Sequence, residues 1–360
     1  MTSSSLADAS LTAGSRIGRY FNIVSMLPTL FLVLWTYALL ASHPWQHAPD
    51  LQAAKTQLSH WSAAEVTWIL LATLLLALFL HPLQFATTQL LEGYWGTSRV
   101  ALWLMAKRIQ YHRKRRRHLE DLGQYHSDVL EEQVAEGISA LYADSPQSDD
   151  HADIRNKKIA LINSERGDAM MIHIIGEQAA EPALSNYPEA DRVLPTRLGN
   201  TLRSFEDTAG KQYGLDAITT APHFFLIAPE RHMQYVRDSR EQLDAAVKLC
   251  TISLIATAIT AGPLLLDGIW LLIALAPYSL AYFAYRATIA AAQEYAVAVK
   301  TVIDLNRFAL YESLRVGPPK HTKQERTTNK RLMKLLQGSD RTSVRYHRPP
   351  QEPAVGDGDK

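Results

Sequence analysis

The chain has 360 residues, enough for two ordinary domains, and its 37 Lys and Arg residues nearly balance 36 Asp and Glu residues. The net charge of +1 hides a segregation of charge, since residues 119–245 carry 23 acidic and 11 basic side chains while residues 315–348 carry 10 basic and 2 acidic ones. The single cysteine, Cys250, excludes an intramolecular disulfide and a cluster of metal-binding thiolates, and its place beside an apolar run predicts a small buried side chain.

Four apolar runs predict membrane-spanning helices, at residues 21–40, 66–85, 249–266 and 269–285. About 20 helical residues cross a hydrocarbon core of about 30 Å, so the first two runs are long enough and the last two need flanking residues or local thinning. The first run exceeds the usual apolar part of a secretory signal, so we expect a retained helix.

The Lys and Arg residues that flank these runs predict their orientation. Arg16 and Arg19 precede the first run, Lys55 is the only basic residue in the loop after it, and Arg99 with a basic cluster follows the second run. The turn between the last two runs has no basic residue, whereas Arg286 and a basic tail follow the fourth run. This pattern predicts four spans in a plasma membrane, with both termini and the long central segment in the cytoplasm.

The predicted fold class is all-α: a four-helix transmembrane protein whose long helices extend into a mainly helical cytoplasmic domain. Alanine-rich residues after the fourth run, such as Ala290, Ala291 and Ala296, would let the two helices that leave the membrane pack closely. The predicted organisation is a disordered N-terminus (1–19), a first transmembrane pair with a short external loop (20–95), a basic interfacial helix (96–118), an acidic helical cytoplasmic domain (119–248), a second transmembrane hairpin (249–286), a cytoplasmic helix (287–318) and a basic disordered tail (319–360).

A basic cluster follows the short apolar patch at residues 100–106 and predicts a helix on the inner leaflet. Each Lys or Arg close to an anionic membrane surface contributes about 1 kcal/mol. A nucleic-acid patch is the alternative, but the neighbouring spans favour lipid, and we expect no nucleic acid partner. The predicted lipid headgroup contacts are Lys107, Arg108, Arg113, Lys114, Arg115, Arg116 and Arg117.

Three polar residues form a candidate intramembrane site: His81, Gln84 and Glu92. An ionisable side chain within a span is a functional candidate by default. The structural alternative is preferred, because His81 can lie near the inner headgroups and Glu92 can pair with Arg99 or another basic residue.

A second polar group, in the central segment, is a candidate partner surface: Arg197, Arg203, Glu206, Asp207 and Asp216. Arg203 lies three and four residues before the two acids, which predicts surface ion pairs of a few tenths of a kcal/mol, and Asp216 is placed to cap the next helix. An ordinary helix surface with a cap explains all five and is the preferred interpretation. Gly210-Lys211 does not qualify as a phosphate loop, because the upstream glycine and the following Ser or Thr are missing.

Four short segments together resemble a group of uncharacterised multi-pass membrane proteins of high-GC Gram-positive bacteria. The segments are Leu-Glu-Gly-Tyr-Trp at 91–95, residues 195–200 with the acidic pair at 206–207, Tyr-Gly-Leu-Asp at 213–216, and Asp-Leu-Asn-Arg at 304–307. The resemblance spans roughly residues 80–314 in the same order. It implies a bacterial plasma membrane and brings no activity or catalytic residue.

The sequence has no pair of histidines at i, i+4 with a carboxylate, no nucleophile elbow and no glycine-rich nucleotide fingerprint. We therefore predict no catalytic residue, cofactor or metal. The preferred function is an interaction, regulatory or scaffold protein that binds an unknown protein or further copies of itself. The alternative is a subunit of an oligomeric channel or transporter, and the third is a membrane-associated enzyme without a recognisable motif.

Overall fold

The computed structural model describes residues 26–42, 49–50, 52, 55–57, 61–143, 159 and 165–347. Within these ranges the chain is helical, and its only strand-like pairing is an isolated antiparallel bridge between Val316 and Tyr346. The predicted all-α class is confirmed. The α-helices are α1 (Met26–Ala41), α2 (Ala63–Leu80), α3 (Gln84–Glu92), α4 (Arg99–Ala143), α5 (Glu165–Ser185), α6 (Arg197–Thr208), α7 (Ala217–Ile227), α8 (Glu230–Leu264), α9 (Leu275–Ser313) and α10 (Thr322–Leu336).

The chain divides into two units, of which the first comprises Met1–Tyr94 with Gln212–Lys360 and the second comprises Trp95–Lys211. In the first unit, three helical stretches are long and apolar enough to cross a membrane: α2, α8 and Gly268–Ser313, which joins a short 3-10 helix to α9. Helix α1 is apolar but its described part is shorter. The described residues thus contain three candidate spans, and the first predicted run, at residues 21–40, corresponds to the shorter helix α1.

Helix α2 has a well-defined start and an early end. Ser62 caps its N-terminus, because its hydroxyl accepts from the Glu65 N–H at 3.2 Å while the Glu65 carboxylate accepts from the Ser62 N–H at 2.8 Å. The helix ends at Leu80, and a turn through Pro82, which lacks a backbone N–H, leads into α3. The predicted span at residues 66–85 is therefore divided between two helices.

Helices α8 and α9 pack along each other and form the centre of the first unit. Helix α8 runs unbroken from Glu230 into the apolar run, as predicted. Small residues of α9, among them Ala281, Ala284 and Ala292, are buried and allow close approach. Of the alanines predicted for this role Ala296 is buried, whereas Ala290 is exposed because it lies on another face of the helix.

Residues 322–336 form α10, in place of the disordered tail that the sequence predicts from residue 319. The polar composition of this segment hides an amphipathic pattern, because Glu325, Asn329, Leu332 and Met333 share one face and are buried. The predictions for residues 1–19, for residues 348–360 and for the acidic linker at 144–153 lie outside the described residues.

The second unit is built on α4, a helix of 45 residues. The predicted interfacial helix and the start of the predicted acidic domain are thus one continuous element. Helix α5 packs against α4. Helix α6 begins at Arg197 because the Thr196 side chain accepts a hydrogen bond from the Gly199 N–H at 3.0 Å.

Candidate functional sites

The three residues of the predicted intramembrane site do not form a cluster. The His81 side chain is exposed at the turn after α2, Gln84 begins α3 and Glu92 ends it. Eight residues of helix separate the two ends of α3 by about 12 Å. Helix α3 stops at Gly93, whose φ of 108° lies in the left-handed region that favours glycine.

The apolar helices α1, α2 and α8 of the first unit meet over apolar side chains. Leu32 of α1 and Ile252 and Ala256 of α8 are buried together, and Leu76 of α2 packs against them. A hydrogen bond of 2.8 Å from the Trp35 Nε1 to the Thr260 Oγ1 joins α1 to α8. A second hydrogen bond, from the Tyr37 hydroxyl to the Glu65 carboxylate at 3.4 Å, joins α1 to α2, so the apolar contact of these helices includes polar links.

A small crevice of about 30 Å³ lies next to Gln84. Its polar lining residues are Gln84, Thr87, Lys248 and Thr251, and His81 is not among the residues that line it. This volume holds about one water molecule.

The basic cluster lies on α4, and most of it faces outward. Arg116 is half-buried, donates to the Glu120 carboxylate at 3.0 Å and to the Pro188 carbonyl at 3.1 Å, and thus acts as a structural residue. The other six predicted headgroup contacts are exposed: Lys107, Arg108, Arg113, Lys114, Arg115 and Arg117.

An exposed stripe runs along α4 at helical spacing. We call it the α4 stripe, and its members are Val100, Trp103, Lys107, Tyr111, Lys114 and His118. The spacing of three or four residues places them on one face. The Lys107 ammonium lies 3.9 Å from the centre of the Trp103 ring. An exposed aromatic and apolar face rimmed by cations is typical of a helix at a membrane interface.

The opposite face of α4 carries His112, the one member of the basic segment that is almost fully buried. Its Nδ1 lies 3.0 Å from the Tyr187 hydroxyl. Burial, followed by the positive charges of Arg108, Arg115 and Arg197, lowers the pKa of His112 to about 4, against an opposing backbone hydrogen bond at Pro195. His112 is therefore neutral near pH 7.

Residues 186–196, which we call the 186–196 loop, connect α5 to α6 without regular structure and are nonetheless fixed from several sides. Asn200 donates to the carbonyls of Leu194 and Thr196 at 2.9 and 2.7 Å and accepts from the Leu194 N–H at 2.7 Å. The Arg116 and Tyr187 contacts described above tie the loop to α4. The result is a rigid surface loop.

The charges of the predicted partner surface pair locally. Arg203 lies 3.1 Å from Glu206, as the sequence predicts, whereas Asp207 pairs with Arg192 of the 186–196 loop. Burial raises the pKa of both Glu206 and Asp207, and their arginine partners oppose this. Arg197 is exposed at the first turn of α6.

Asp216, the fifth residue predicted for this surface, belongs to the first unit and caps α7. Its carboxylate accepts from the N–H groups of Ile218 and Thr219 at 2.9 and 3.3 Å. This confirms the predicted cap. The five residues are thus divided between the two units of the chain.

A buried polar cluster holds α10 against the first unit. Glu325 accepts a hydrogen bond from the Tyr311 hydroxyl at 3.1 Å and pairs with Arg307 at 3.2 Å. Asn329 donates to the Tyr311 hydroxyl at 2.8 Å and to the Tyr213 carbonyl at 2.9 Å. Burial raises the pKa of Tyr311, which therefore stays protonated and able to donate.

Two of the four short segments on which the resemblance rests contribute residues to this cluster. The segments at 213–216 and 304–307 supply Tyr213 and Arg307, whose guanidinium lies 4.5 Å from the centre of the Tyr213 ring. The signal that was missed is the spacing of Glu325, Asn329 and Leu332 within a polar segment.

Among the described residues, no group of three or more His, Cys, Asp or Glu side chains is placed to hold a metal ion. Two histidines meet in the second unit, where the Nδ1 atoms of His126 and His173 lie 3.1 Å apart. Comparison of the chain with models of protein families, with curated proteins and with solved structures finds no match.

Proposed function

We propose that this chain is an integral plasma-membrane protein that acts as an interaction or scaffold protein through its cytoplasmic helices. Three long apolar helices in the first unit support membrane insertion. The second unit offers two outward surfaces, the α4 stripe and the rigid 186–196 loop. The first fits an anionic inner leaflet and the second fits a protein partner.

The observation that carries the proposal is the fixed conformation of the 186–196 loop. A surface connection needs no such restraint, yet three Asn200 hydrogen bonds and an Arg116 bond hold this loop, and Val193 is buried beneath it. A loop that is already ordered loses little conformational entropy when a partner binds. Binding residues also lie disproportionately on loops that a rigid scaffold positions.

The proposed topology places both termini and the second unit on the cytoplasmic side, with α1, α2, α8 and α9 as four spans. It rests on the basic flanks of the apolar runs. In this topology the α4 stripe begins a few residues after α3 and can lie on the inner leaflet. Possible partners are anionic lipids, a second protein and further copies of the chain.

Site-specific photo-crosslinking in bacterial membranes tests the proposal. A photoreactive residue placed at Asp191 or Arg197, both exposed at the 186–196 loop or beside it, is expected to capture a discrete second protein. The matched control is the exposed Asp128 on α4, which should capture none. Crosslinks that join only copies of this chain would contradict a second protein at the loop and assign the surface to self-association, and equal yields at all three positions would contradict a partner surface there.

An oligomeric channel or transporter is the second candidate function. Helix α2 buries only Ile69 and Thr73, so most of its surface is open to lipid or to other copies. The polar crevice with Gln84 and Lys248 would then lie near a subunit interface. Ion flux into liposomes that is lost in Gln84→Ala would support a channel, and absence of flux in the wild-type protein would remove it.

A further inference from the structure

A cavity of about 460 Å³ lies between α10 and the chain that follows it. After α9 ends, Arg315 adopts a φ of 54°, Val316 forms the bridge with Tyr346, and the His347 N–H donates to the Arg315 carbonyl at 2.7 Å. These contacts hold residues 343–347 beside residues 316–318. The cavity therefore has walls from three parts of the first unit.

One face of α10 supplies polar side chains to this cavity. Gln324, Thr328 and Arg331 are spaced by four and three residues and all line it. The neighbouring face of α10 carries Glu325 and Asn329, which point into the buried polar cluster. Glu325 of α10 is therefore buried in the interior of the first unit, whereas Arg331 lines the cavity.

The charged side chains among the described residues that line the cavity include two arginines. Arg331, Arg345 and His347 line it, Ser343 adds a hydroxyl, and none of the described residues that line it is Asp or Glu. Within the described part of the chain neither arginine forms an ion pair, and the nearby Glu325 is already paired with Arg307. Both arginine side chains are exposed, so an anion that enters the cavity can reach their guanidinium groups.

We infer that this cavity is a binding site for a small phosphate-bearing anion. Guanidinium groups match phosphate oxygens with paired, charge-assisted hydrogen bonds, and the hydroxyl and amide groups around them can complete the coordination. The volume is within the range of small-molecule sites. The site does not depend on the second unit or on a protein partner.

Helix length favours a soluble phosphate compound over a lipid headgroup. The fourth apolar run ends at residue 285, so in the proposed topology residues 286–313 of α9, about 42 Å of helix, project beyond the hydrocarbon core. The cavity lies at the far end of this projection. A phosphate carried by a soluble molecule reaches this position, whereas a headgroup in the same leaflet does not.

Titration of the full-length protein in a neutral detergent with inorganic pyrophosphate, followed by calorimetry, tests the site. Arg331→Gln with Arg345→Gln should weaken pyrophosphate binding by about tenfold or more, because each substitution removes a charge-assisted hydrogen bond donor. The matched control, Lys330→Gln with Arg341→Gln, removes two exposed charges that do not line the cavity and should leave binding within about twofold of the wild type. The thermal transition of each variant shows whether it is folded.

Three outcomes would overturn the inference. The first is no pyrophosphate binding by the wild-type protein, and the second is equal weakening in both double variants. The third is a loss of binding in sodium sulfate that the ionic strength of the salt alone explains. A second arm repeats the titration in nanodiscs with and without anionic phospholipid. Undiminished pyrophosphate binding in anionic discs supports the soluble source. Competition by the anionic lipid would retain the cavity as a phosphate site but overturn the assignment to a soluble compound.

Discussion

Buried polar side chains fix the arrangement of α10 more than apolar contacts of the same size would. Glu325 is almost fully buried, and a buried carboxylate is costly unless charge and hydrogen bonds compensate it. Arg307 and the Tyr311 hydroxyl provide this compensation in one geometry only. The cluster thereby specifies which face of α10 is buried, and so which face meets the cavity.

His112 makes the stability of the second unit depend on pH. Its pKa is lowered to about 4 from an ordinary value of 6.5, mainly by burial, so the folded state favours the neutral form. Stability is therefore complete above about pH 6.5 and falls as the pH drops toward 4, because the unfolded chain gains the proton first. The loss should reach up to about 3 kcal/mol.

Thermal unfolding of the detergent-solubilised protein between pH 7.5 and 4.5 measures this effect. His112→Gln can keep a hydrogen bond to Tyr187 but has no proton to gain, so its melting temperature should fall less steeply than that of the wild type. His81→Gln, at an exposed histidine, is the matched control and should follow the wild type. Parallel curves for the wild type and His112→Gln would refute the assignment.

At the scale of elements, α10 depends on a close approach at Gly214. This glycine has a φ of 77°, and a Cβ there would lie 3.0 Å from the Arg326 carbonyl oxygen of α10. Gly338 has a φ of 87° but faces open space. Both positions resist a side chain through backbone strain of about 1 kcal/mol, and only Gly214 adds a steric conflict with a helix backbone.

Gly214→Ala should therefore destabilise the first unit by about 2–3 kcal/mol, and Gly338→Ala by about 1 kcal/mol. Limited proteolysis of the full-length protein at the segment between α9 and α10 reports whether α10 has detached. Thermal unfolding shows which of the two variants is the less stable. Equal behaviour of the two alanine variants would show that α10 does not need the close approach at Gly214.

The α4 stripe is expected to hold α4 at the inner leaflet through its lysines and aromatic rings. Lys107→Glu with Lys114→Glu reverses two charges that each contribute about 1 kcal/mol near an anionic surface. A nitroxide at Gln110→Cys, an exposed position, should report contact with lipid in liposomes that contain anionic phospholipid, and the charge reversal should move it into water.

Selective labelling is feasible because the native Cys250 is buried. Glu131→Cys, exposed much farther along α4, is the matched control and should report water in every variant. A nitroxide at Gln110→Cys that reports water already in the wild-type background would show that α4 does not lie on the leaflet.

For the molecule as a whole, local patterns predicted local structure. Apolar runs predicted the long helices, Asp216 predicted the cap of α7, and the spacing of Arg203 and Glu206 predicted their ion pair. Each of these signals is contained within a few residues. The helical class followed from them.

The misses involve contacts between distant parts of the chain. Helix α10 is held by residues more than 100 positions away, as in the bond from Asn329 to Tyr213, so composition alone predicted disorder. The burial of His112 within a basic run depends on which face of α4 meets its neighbours, and a run of similar charges does not reveal that face. The cavity near Arg345 likewise requires residues 343–347 to fold back beside residues 316–318, which follow α9.

The number of spans determines on which sides of the membrane the two ends of the chain lie. With α2, α8 and α9 alone the termini lie on opposite sides, whereas a spanning α1 returns both to the cytoplasm. The basic flanks Arg16 and Arg19 favour the second arrangement.

We therefore expect single cysteines at Ser4→Cys and Gly356→Cys to resist a membrane-impermeant maleimide in intact cells and to react after permeabilisation. Gln57→Cys, in the proposed external loop, should react in intact cells, and labelling of Ser4→Cys alongside it would reduce the spans to three.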